Sequence, residues 1–85
     1  MTQGLEILKN YKSGKSTFSF TVKEERNRFQ GTWFTVEIKQ VTDCSDLNED
    51  DFICYWKVVC PSSMTEHAAI NFAGKKVIKN FEPLN

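Results

Sequence analysis

The chain is 85 residues long, 40% hydrophobic and 26% charged, with a formal net charge of zero. That leaves room for a single domain, residues 1–85, and is too apolar for a disordered chain. No apolar stretch reaches the ~18–20 residues of a membrane span, and an odd number of cysteines argues for a reducing cytoplasm rather than a disulfide framework.

The chain opens on Gly4-Leu5-Glu6-Ile7-Leu8-Lys9-Asn10-Tyr11-Lys12, which reads equally as a short helix or an edge strand, because periodicity does not settle so short a segment. Its Glu6 and the lack of an apolar core argue against a secretory signal. Ser13-Gly14-Lys15-Ser16 is a turn.

From Thr17 to Glu24 the chain alternates, with Phe18, Phe20 and Val22 on one side, as a half-buried strand does. A polar connection, Glu25 to Gly31, carries Arg26 and Arg28 at its tip. Thr32 to Thr42 is the next strand, with Phe34, Val36 and Ile38 inward and Thr35, Glu37 and Lys39 on the wet face. Residues 43–51 are an acidic loop. The nonapeptide Phe52-Ile53-Cys54-Tyr55-Trp56-Lys57-Val58-Val59-Cys60 is apolar on both faces, which predicts a central strand covered on both sides and stopped by Pro61.

Ser63-Met64-Thr65-Glu66 has the form of a capping box, predicting a helix from there to Ala73 with Gly74 as its C′ residue. Val77 to Phe81 is a candidate last strand. The fold class is therefore α+β: a small, mainly antiparallel sheet of three to four strands with one C-terminal helix packed on one face. In so short a chain, Thr17–Glu24 or Val77–Phe81 is a candidate unpaired edge through which a symmetric homodimer would form.

Motifs for chemistry are incomplete. Cys44, Cys54, Cys60 and His67 follow a zinc-finger-like order. Cys54 and Cys60 fall in one strand, though, about 20 Å apart at ~3.3 Å per residue, so they read as small buried hydrophobes. Asp46-x-Asn48-x-Asp50 begins like a calcium loop, but Asp51 stands where Gly is required and Lys57 where a bidentate Glu belongs. Ser13-Gly14-Lys15-Ser16-Thr17 resembles the tail of a P-loop, with Lys9 where the first Gly should be. No metal, cofactor or catalytic group is expected, and the chain is read as a non-enzyme.

Charge is unevenly placed: residues 1–30 carry six Lys or Arg against three Glu, and residues 31–60 two Lys against six acids. A basic face is expected from Lys9, Lys12, Lys15, Arg26, Arg28, Lys75 and Lys76, with Trp33 or Phe29 as a ring for stacking; that mixture suits single-stranded RNA or DNA. Asp46, Glu49, Asp50 and Asp51 are candidates for contact with a basic protein partner, the alternative being an acidic mimic of nucleic acid.

Lys outnumbers Arg nine to two, and Phe, Ile and Asn are plentiful, as an AT-rich coding sequence would give. In size and whole-chain character the protein resembles the small anti-defence proteins of large lytic tailed phages, such as inhibitors of RNA-cleaving toxins. That resemblance implies a non-enzymatic inhibitor in the host cytoplasm, with a host protein as target and RNA as a candidate ligand. It rests on no motif and carries no site residues.

Overall fold

The computed structural model describes residues 2–61 and 64–83, with side chains from Asn10 onward. Four strands, β1 (Thr2–Ser13), β2 (Ser16–Asn27), β3 (Gly31–Thr42) and β4 (Phe52–Val59), form one antiparallel sheet in chain order, and helix α1 (Glu66–Val77) packs on one face. The α+β class and the antiparallel sheet with one C-terminal helix are as the sequence predicts.

The turns follow from their residues. Gly14 is the first of two loop residues between β1 and β2 and adopts φ +59°, a conformation that two-residue hairpin loops require and glycine supplies without steric cost. Between β2 and β3, the Asn27 side chain accepts hydrogen bonds from the backbone N–H groups of Phe29 (2.8 Å) and Gln30 (3.2 Å), an Asx turn that shapes the three-residue loop.

The pleat sorts the side chains. Register places Phe18, Phe20 and Val22 of β2 on the face that carries Val36 and Ile38 of β3. All five are buried, and Cys60, Ala69, Ile70, Ala73 and Ile78 close the core over them. The small residues Ala69, Ala73 and Gly74 on the buried side of α1 let the helix lie close to the sheet. The helix is capped by Thr65, whose Oγ1 accepts from the Ala68 N–H at 3.1 Å.

Several boundaries differ from the expectation. The open segment at the N-terminus is strand. The predicted N-cap, Ser63, lies outside the described residues, and the observed cap is Thr65. The helix continues through Gly74 to Val77, and the Ile78 N–H still donates to the Gly74 carbonyl at 2.8 Å. The Phe81 ring packs directly over Gly74, where a side chain would meet it. Residues 78–83 are not strand, so the edge expected at Val77–Phe81 does not exist. Thr17–Glu24 is not an edge either, since β2 pairs on both sides. Thr35, placed on the wet face, is buried, and its hydroxyl donates to Glu25 Oε2 at 2.7 Å.

The largest correction concerns β4. It is not central: it pairs only with β3 and forms one edge of the sheet. The meander adds each strand beside the last, and among the described residues no later strand follows to cover it.

Candidate interaction surface

β4 pairs with β3 from Thr35↔Val59 to Thr42↔Phe52. The Cys60 N–H donates to the Phe34 carbonyl at 2.9 Å. In an antiparallel ladder, residues pointing both backbone groups at their neighbour alternate with residues pointing both away. The even-numbered residues of β4 therefore bond to β3, and Ile53, Tyr55, Lys57 and Val59 direct N–H and C=O outward along the free edge.

The side chains of this edge are large, apolar and exposed. Phe52 and Trp56 project on the helix face; Ile53, Tyr55 and Val59 project on the open face; Tyr55 is 73% exposed. α1 rests mainly on β2 and β3, so the helix face of β4 stays uncovered over most of its length. The Trp56 indole N–H donates to Gln40 Oε1 at 3.4 Å, and Gln40 in turn donates to Ser16 and Thr42, which orients the ring at the surface. On the open face, Tyr55 and Lys57 border a groove of about 520 Å³ shared with Ser19, Thr21, Glu37 and Lys39. A contiguous exposed apolar strip beside an unpaired backbone edge is a protein-docking geometry.

The opposite edge, β1, is built differently. Its register with β2 shifts between Gln3 and Ile7, and such a bulge interrupts the regular row of groups that a further strand would need. β4 has no bulge, no proline and a single charge.

The expected basic residues are not gathered on one face. Lys12 and Lys15 lie at the β1–β2 turn; Arg26 and Arg28 lie at the β2–β3 turn, at the far end of β2, roughly 36 Å away for an extended strand. Lys9 is on β1, in register with Phe20. Lys75 and Lys76 are exposed in the last turn of α1, with Lys76 Nζ 4.9 Å from the Phe72 ring centroid. Arg26 bonds to Glu24 Oε1 at 3.1 Å through both Nε and Nη2. Trp33, half-buried, pairs with Glu25 and thus sits on the face opposite Arg26. At the hairpin tip Phe29 is 89% exposed, with the Arg28 guanidinium 5.9 Å from its ring centroid.

The acidic loop adjoins the first basic turn instead of opposing it. The Asp43 N–H donates to the Lys15 carbonyl, and Lys15 Nζ forms an ion pair with Asp46. Hydrogen bonds from Ser45, with smaller help from Lys15 and Lys12, hold the Asp43 carboxyl below its ordinary value. Glu49, Asp50 and Asp51 are exposed and run directly into β4.

Cys60 is buried, and that burial pushes its thiol pKa up; Cys54 and Cys44 are half-buried. His67 is exposed in the first turn of α1. Among the described residues no three His, Cys, Asp or Glu side chains cluster as metal ligands, and no helix is long and apolar enough to cross a membrane.

The edge position of β4 is hidden in the sequence because a strand apolar on both faces fits a covered centre and an uncovered edge equally well. The one available signal was arithmetic: a single helix cannot cover both faces of such a strand. No family model, curated protein or solved structure matches the chain.

Proposed function

We propose that this chain is a non-enzymatic protein-binding module that works through its β4 edge. The observation that carries this reading is the strip of Phe52, Ile53, Tyr55, Trp56 and Val59, exposed on both faces of an edge strand whose outward backbone groups lack a strand partner. Leaving such a surface in water forfeits apolar burial of about 25 cal/mol per Å², so its natural state is covered. The whole-chain likeness to phage anti-defence proteins extends the reading to an inhibitor of a host defence or toxin enzyme, acting in the host cytoplasm.

The test is a photocrosslinking amino acid at Tyr55, compared with one at Arg28 at the remote hairpin tip, in bacterial cells expressing the chain. The expected outcome is a discrete protein adduct from position 55 and none from position 28. Any enzyme so trapped is then assayed: the wild type should inhibit it, and Trp56→Asp should not. No adduct at position 55 would overturn the reading.

A second reading has one specific observation in its favour. Phe29 stands exposed beside Arg28, a ring and a cation together, as single-stranded RNA contacts use. Titration of labelled single-stranded RNA at two salt concentrations tests it. Salt-sensitive binding lost in Arg28→Glu/Phe29→Ala would support it, and no binding would remove it.

A further inference from the structure

We infer that the occupant of the β4 edge is β4 of a second copy of the chain, paired antiparallel about Cys54. This rests on the reading of β4 as a protein-docking edge and gives that edge a resting occupant, which a target protein would have to displace.

Symmetry restricts the pairing. Two identical strands side by side and antiparallel are related by a two-fold axis perpendicular to the sheet. Residues facing each other then lie on the same face, so the axis must pass at a residue, not between two. Among these few registers, the one centred on Cys54 sets Asp51 opposite Lys57 of the second copy, twice by symmetry. It also sets Phe52 opposite Trp56, and Ile53 opposite Tyr55.

Registers centred on Tyr55 or Trp56 place Lys57 against Ile53 or Tyr55 and leave Asp51 without a cation across the edge. A register centred on Ile53 shortens the overlap and runs into the acidic loop. Opposite charges facing across a ladder stabilise it, and aromatic pairs do the same.

The backbone agrees with this register. The outward groups of β4 belong to odd-numbered residues, so Ile53 and Tyr55 of the second copy exchange both their hydrogen bonds, and a one-residue extension of each strand on pairing lets Asp51 and Lys57 do the same. The even residues form the closer, non-hydrogen-bonded pairs on the helix face, where the Phe52–Trp56 pairs fill the uncovered strip between the two helices. The assembly closes at two copies: both β4 edges are consumed, and the outer edges are the bulged β1 strands. The result is a continuous eight-stranded sheet with one helix on each half.

The experiment is sedimentation equilibrium of the purified chain across a concentration series. The expected mass at about 100 µM is twice the 9.8 kDa of the chain. Lys57→Asp alone and Asp51→Lys alone put like charges opposite each other and should each weaken the dimer by roughly tenfold. The double swap, Asp51→Lys/Lys57→Asp, should restore it. Circular dichroism of each variant separates lost association from lost folding.

Independently of any charge variant, mild oxidation of Cys44→Ala should give a covalent dimer. Cys54 faces its own copy there as a non-hydrogen-bonded pair at a Cα separation of about 4.5 Å, within disulfide reach. A wild type that stays monomeric throughout overturns the inference; if position 55 still crosslinks to another protein in cells, the docking reading survives with a different occupant. A dimer with neither charge-swap rescue nor a Cys54 bridge also overturns the inference, because its interface lies elsewhere.

Discussion

β2 buries Phe18, Phe20 and Val22 on one face and turns Thr17, Ser19 and Thr21 to the other, whereas β4 carries apolar side chains on both faces and buries none fully. The more apolar of the two, β4 with seven hydrophobic residues of eight against three of twelve in β2, is the less buried. Their difference is position: β2 has a strand on each side and a helix above, while β4 has one neighbour and little cover. Apolar content therefore does not tell what a side chain contributes. In β2 it builds the fold; in β4 it stays exposed at the surface.

Truncation on each strand should break this comparison most clearly. Phe20 is fully buried, and Phe20→Ala should cost about 3–5 kcal/mol through lost burial and the cavity left behind. In so small a domain that is a large part of the total stability, and urea denaturation followed by circular dichroism should show it. Trp56→Asp and Ile53→Asp, on the exposed strand, should cost under about 1 kcal/mol in monomer stability yet abolish crosslinking from position 55. Comparable losses of stability at all three positions would erase the distinction between a folding strand and a binding strand.

Gly74→Ala sharpens the picture of what holds α1 against β2. A Cβ there would come within 2.5 Å of the Phe81 ring, which itself packs 4.9 Å from Tyr11 and 6.2 Å from Phe20, centroid to centroid. Alanine gains about 1 kcal/mol in helix propensity, but displacing a packed ring costs about 1–3 kcal/mol. The expected result is a net loss of about 1 kcal/mol in thermal or urea unfolding, and a stabilised variant would show that the ring moves freely.

Thr35→Val removes the hydroxyl bonded to Glu25 while keeping shape, and should cost about 1 kcal/mol. The smallest effect is at the acidic loop. Asp43 has its carboxyl held below 3.8, first by Ser45. A depressed folded value means its contribution is complete above 3.8 and is lost as pH falls through the lower folded value. An NMR titration should place the Asp43 midpoint below that of an unstructured aspartate, and Ser45→Gly should move it upward.

The alternation of Phe18, Phe20 and Val22 and the turn at Gly14 were enough to place β2 and its hairpin, because period-2 patterning and turn chemistry are local. The apolar run of β4 was read as a strand for the same reason, but its position at the edge was not legible: pairing order depends on contacts between residues distant in sequence. The basic residues show the same limit. Lys15 and Arg28 look like neighbours in a charge count, yet the length of β2 separates them, and Lys15 is drawn to Asp46, 31 positions away.

The sequence by itself determined that Thr17–Glu24, Thr32–Thr42 and Phe52–Cys60 extend, that a helix lies before Gly74 and which side chains of β2 and β3 build the core, since backbone preference and periodicity act over a few residues; it left residues 4–12 open and placed a strand at Val77–Phe81 where there is none. Only the tertiary structure decided that Gly74 stays within the helix under Phe81, that Thr35 is buried, and that β4 is left uncovered at the edge. Each of these depends on what happens to pack against the residue, which no local pattern specifies.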